Sequence, residues 1–198
     1  MPRLLGVMLA VSAMAALFTM PASAAVQADP TQLIQSVASN VTEIVRTRTG
    51  ADREAAMRGL LRRDFDLPYM ASAALGQHWA AASERQKARL LSAVEASEAR
   101  AYSDRLGSFP GATVKVGTAT PRAPGVWLVD SRLTLPTGQS LKLDWEVRQG
   151  PQGMRISDIR VSGISMFVTK RADFEAYIQN HGGTVEPLIQ VLEARASR

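Results

Sequence analysis

Two hydrophobic periodicities divide the chain. From Asp29 to about residue 107, apolar side chains recur every three or four positions, the mark of amphipathic helices. Asp29-Pro30 is a strong helix start, an N-cap type residue before proline at the first helical position. Leu33, Val37, Val41 and Ile44 follow on one face. After a break at Thr49-Gly50, Met57, Leu60 and Leu61 predict a second helix over about 51–63. The stretch Asp64-Phe65-Asp66-Leu67-Pro68 reads as a turn, and 68–76 as a short helix stopped by Gly76. Ser83 with Gln86 forms a capping box for a long helix over about 84–106, with Leu90, Leu91, Val94, Tyr102 and Leu106 inward.

Beyond Phe109-Pro110-Gly111 the period changes to two, bounded by turn residues. Val114 and Val116 mark a first strand, and Trp127, Val129, Leu133 and Leu135 a second. In a third, Leu141, Leu143, Trp145 and Val147 alternate with Lys142, Asp144, Glu146 and Arg148. Ile156, Ile159 and Val161 mark a fourth, with a change of phase at Asp158 that implies a bulge or bend. Helical spacing returns over about 168–180 and 184–196, interrupted by Gly182-Gly183. The order is helices, then an antiparallel four-stranded meander, then helices. That segregation defines an α+β fold, with helices covering the single apolar face of the sheet.

Composition modifies this picture at the N-terminus. Of the first 24 residues, 17 are apolar, against 46% for the chain as a whole. Arg3, the uncharged run Leu4 to Met20, and Ala22-Ser23-Ala24 have the order of a secretory signal peptide with a cut after Ala24. The mature chain is then residues 25–198, one domain with a helical lobe (about 29–107 and 167–197) and a sheet (about 112–166). Removing Arg3 from a formal charge of +5 leaves +4. The chain has no cysteine, so neither a lipoprotein anchor nor a disulfide is available. Nothing resembles a twin-arginine signal.

The chemistry-bearing residues are sparse. His78 and His181 lie a hundred residues apart without metal-ligand spacing. There is no G-x-S-x-G, P-loop or G-x-G-x-x-G, so no nucleophile elbow or phosphate cradle is signalled. Asp64 and Asp66 suit turn formation and capping better than paired acid chemistry. The sequence therefore indicates no enzyme, cofactor or metal. Arg46, Arg48, Arg53, Arg58, Arg62 and Arg63 form the densest charge cluster, which fits either a solvated helical face or a docking surface for an acidic partner. Export argues against nucleic acid. A third class is a carrier, in which the strands and a helical cover leave an apolar space suited to a lipid-like ligand.

Several segments together resemble the exported phospholipid-binding proteins of the Mla pathway, the toluene-tolerance family. Asp64-Phe65-Asp66, Met70-Ala71, Leu75-Gly76 and Trp79 are similar to its "D-F-D…M-A…L-G…W" block, and Tyr102 with Leu106 to its "Y…L". Asp158-Ile159-Arg160-Val161-Ser162-Gly163-Ile164-Ser165-Met166 is similar to "D-V-x-V-x-G-V-S-L", and Arg171 with Phe174 to "R-x-x-F". The chain departs from the pattern at Met154, where tryptophan is usual nearby, and at Thr169-Lys170-Arg171, where the family reads "N-Y-R".

The resemblance implies a curved sheet of nuclear-transport-factor-like type and a monomeric periplasmic shuttle. Such a protein carries phospholipid between an inner-membrane ABC-transporter complex and an outer-membrane lipoprotein–porin complex. A hopanoid-associated branch of the family leaves a polycyclic lipid open as cargo. The expected lipid-binding residues are the apolar strand face with its cover, Leu90, Val94, Tyr102, Leu106, Val129, Leu133, Leu143, Trp145, Val147, Ile159, Val161 and Ile164. Arg171 would either meet a phosphate or neutralise helix ends.

Overall fold

The computed structural model describes residues 29–197. The expected export signal, residues 1–24, and its cut after Ala24 lie outside the described residues. Helix α1 (Pro30–Thr47) starts where the sequence places it, with the Asp29 carboxylate accepting from Thr31 N at 2.8 Å. It buries Ile34, Val37 and Ala38. Helix α2 (Gly50–Asp64) buries Met57, Leu60 and Leu61. Asp66 then caps α3 (Leu67–Leu75), accepting from Tyr69 N at 3.1 Å, which is the capping role expected of the acidic turn. Gly76, at φ +49°, ends α3 and begins a one-turn helix α4 (Gln77–Ala81) that the periodicity does not reveal. The Ser83–Gln86 capping box opens α5 (Glu84–Gly107), the longest helix among the described residues.

The meander forms in sequence order from β1 (Thr113–Ala123), β2 (Val126–Thr134), β3 (Ser140–Gly150) and β4 (Gly153–Val161), all antiparallel. The expected phase change is a bulge at Ser157: Glu146 pairs with Asp158 and Val147 with Ile156, leaving Ser157 unopposed. The sheet has five strands rather than four. Ser162 and Gly163, both at positive φ, reverse the chain in two residues, so that Ile164–Ser165 pair back on β4 as β5. So short a strand has no room for an alternating pattern. Ser165 caps α6 (Met166–Asn180), and α7 (Glu186–Ala196) closes the described chain.

The helices cover the sheet by forming two hydrophobic cores. One lies beneath the sheet, where α1, α2 and Ala99 of α5 meet Val129, Leu143, Trp145, Val147 and Ile156. The other is helical, joining Ala74 and Leu75 of α3, Leu90 and Ala93 of α5, Phe174 and Ile178 of α6, and Leu188, Ile189 and Leu192 of α7. Helix α5 runs through both, its N-terminal half in the helical core and its C-terminal half over the sheet.

Candidate functional site

A cavity of about 80 Å³ lies on the seam between the two cores. Leu61 and Phe65 come from the end of α2, Met70, Ala71 and Ala74 from α3, and Ile159 from β4. Met166, Phe167, Lys170 and Phe174 of α6 close one side. Val94, Glu98 and Tyr102, spaced by four residues on α5, form one stripe of the opposite wall. The lining is apolar apart from Glu98, Lys170 and the Tyr102 hydroxyl. Lys170 Nζ donates to Glu98 Oε1 at 2.7 Å, linking α6 to α5. Burial, reinforced by the nearby Glu98 charge, pushes the Tyr102 hydroxyl up to about 12, so it stays a neutral donor.

A larger hollow, about 570 Å³, adjoins this cavity and shares Phe65 and Leu67 with it. Its other walls include Pro68, Leu91 and the β3–β4 turn together with Arg62, Asp66, Glu95 and Arg155, a largely apolar surface interrupted by charges. Arg155 is tied there to the carbonyls of Arg62 and Arg63 at 3.0 and 2.9 Å. A third hollow, about 350 Å³, is walled by Glu146, Arg148, Asp158 and Arg160 beside Tyr69, Phe167 and Val168, a mixed lining. The smallest of the three has the most apolar lining and so matches an apolar ligand best.

Of the residues expected from sequence to bind lipid, Val94, Tyr102 and Ile159 line the cavity. Leu90 is sealed in the helical core. Val129, Leu143, Trp145 and Val147 point to the expected sheet face, but α1 and α2 cover that face closely and leave them in the core. Leu106, Leu133 and Val161 pack at the margin of the same core. Ile164 stands 63% exposed, turned outward by the Ser162–Gly163 reversal. Arg171 is on the exposed face of α6, and its neighbour Lys170 turns inward. The inward phase of α6 is marked in the sequence by Phe167, Lys170 and Phe174 at helical spacing. Glu98 has a comparable signal, a charge on the apolar stripe Val94–Tyr102.

The arginine-rich segment is largely matched within the fold. Arg62 Nη2 donates to Glu95 at 2.6 Å, and Arg58 donates to the same carboxylate. Arg63 pairs with buried Asp64, and Arg46 with Glu43. His78 of α4 faces Glu175 of α6 at 3.2 Å, and His181 stacks on Tyr177 one turn away. Among the described residues, no group of three or more His, Cys, Asp or Glu could hold a metal ion, and no helix is long and apolar enough to cross a membrane.

This architecture, a helix-covered curved sheet with an apolar cavity at the seam, is that of a small-ligand binding protein. Residues 31–194 match the model of the MlaC protein family, and the chain belongs to that family. No curated protein matches it. Among solved structures, it is similar to the phospholipid-binding protein of Ralstonia solanacearum, determined in complex with a phospholipid. That match has a TM-score of 0.71 at 21% identity and covers 86% of this chain and 98% of the other. At this identity it shows that the fold is shared.

Proposed function

We propose that the protein is a periplasmic carrier that holds phospholipid acyl chains in the seam cavity and ferries lipid between complexes of the two membranes. The observation that carries the reading is the apolar cavity between α3, α5, α6 and β4. Family membership and the phospholipid bound to the Ralstonia protein of similar fold support it. The physical need is plain: each methylene exposed to water costs about 0.8 kcal/mol, so a diacyl lipid crosses an aqueous compartment only with its chains covered. The cavity of about 80 Å³ is smaller than two acyl chains. Loading therefore widens the seam, and the two cores on either side of it stay packed. The apolar leader at residues 1–24 fits export to the compartment where such a carrier works.

Native mass spectrometry of the protein recovered from the periplasm tests this directly. The expected spectrum contains a stoichiometric phospholipid adduct, lost on organic extraction and regained from vesicles. A polycyclic adduct in its place would correct the cargo class. Recovery of an empty protein that takes up nothing from vesicles would overturn the carrier reading.

A further inference from the structure

The seam cavity is apolar except where α5 and α6 approach each other. Glu98 interrupts an otherwise apolar stripe of α5, one turn from Val94 on one side and from Tyr102 on the other. Lys170 reaches it from α6, with Nζ 2.7 Å from Oε1 and 5.9 Å from the centre of the Phe174 ring. The two side chains are 21% and 42% exposed, which sets the pair at the mouth between hydrocarbon lining and water. Tyr102, a half-buried donor beside it, also faces the cavity.

A ligand whose tails fill the seam brings its polar end to this pair. Parting the two ions without new partners leaves two partly desolvated charges, which is costly. A zwitterionic head avoids that cost by replacing one ion pair with two: its phosphate meets Lys170 and its ammonium meets Glu98. The Tyr102 hydroxyl can donate to a phosphate oxygen in the same arrangement. A head with net negative charge satisfies Lys170 alone and sets a phosphate beside the Glu98 carboxylate, an arrangement of like charges.

We propose that Glu98 and Lys170 select zwitterionic ammonium–phosphate lipids over anionic ones at the mouth of the seam. The inference rests on the carrier reading and adds the headgroup to it. The test strips the full-length exported protein of lipid, equilibrates it with vesicles of equimolar phosphatidylethanolamine and phosphatidylglycerol, and reads the bound lipids by native mass spectrometry. The wild type should favour phosphatidylethanolamine by about tenfold, the scale of one charge-assisted hydrogen bond. Glu98→Gln should abolish the preference, and Lys170→Gln should lower loading of both lipids. The exchanged pair, Glu98→Lys with Lys170→Glu, should restore much of the preference, and circular dichroism confirms that each variant is folded. A wild type that loads phospholipid in the ratio of the vesicles, or a Glu98→Gln variant that keeps the preference, would overturn the headgroup assignment and leave the carrier intact. A wild type that loads no lipid would remove both.

Discussion

Replacing Val94 by tryptophan separates the cavity from the core. Val94 sits half-buried on the α5 stripe that walls the seam. Indole in place of an isopropyl group adds roughly 90 Å³ at protein packing density, about the 80 Å³ the cavity offers. An empty cavity costs about 24 cal/mol per Å³, so filling 80 Å³ regains at most about 2 kcal/mol. Imperfect fit costs about 1–3 kcal/mol. The two effects nearly cancel, and stability should stay within about 2 kcal/mol of the wild type. In a domain of this size that is a melting shift of at most about 8 °C in either direction. Lipid uptake has no such compensation, because the indole occupies the space that acyl chains need. Uptake of fluorescent phospholipid from vesicles should fall at least about tenfold, beyond the loss of one or two contacts. A Val94→Trp protein that melts near the wild type and loads lipid at the wild-type level would refute the placement of the site.

The complementary substitution is Leu90→Ala, one turn away and 1% exposed in the helical core. It should cost about 2–5 kcal/mol in urea unfolding and leave lipid loading of the folded fraction unchanged. Ser131→Ala removes the acceptor of the buried Trp145 Nε1, now bonded at 2.8 Å, and should lower stability by about 1–3 kcal/mol in the same assay. Acid should destabilise the fold in a defined direction. For Glu95, burial raises the pKa, but hydrogen bonds from Arg62 and Arg58 outweigh it and hold the carboxyl below its ordinary 4.5. Glu146 is likewise held below 4.5, burial being outweighed by bonds from Ser157 and Arg148. A depressed folded pKa contributes stability that is present above about pH 4.5 and lost as pH falls through the folded value. Stability followed by denaturant midpoint should therefore drop below that pH, and Glu95→Gln should flatten the drop.

Much of the fold was legible because it is written in spacing. The capping at Asp29 and Ser83, the inward faces of α1 and α2, and the change of phase beside Asp158 all follow from which residue types recur at which interval. Two elements escaped for a reason of scale: α4 is barely one turn and β5 only two residues, too short to display a period. The cavity was less legible than the fold. An inward Val129 and an inward Ile159 have the same alternation, yet the first is sealed under α1 and α2 and the second opens on the seam. Alternation reports the face of a strand, whereas a void depends on how closely the next layer approaches. On α6 the family motif directs attention to Arg171, but a residue one step away is turned by about 100°, and it is Lys170 that shares a face with Phe174.

The division into two cores bears on how such a protein can evolve. Some side chains that wall the seam, such as Val94, Met70 and Lys170, are half-buried, whereas Ile34, Val147, Ile178 and Ile189, which hold the layers together, are wholly enclosed. Substitution at those half-buried positions therefore alters the shape and charge offered to a ligand at little cost to stability, and substitution at the enclosed ones does the reverse. Ligand preference can drift independently of folding. A lineage built this way can diversify its cargo while its architecture stays in place.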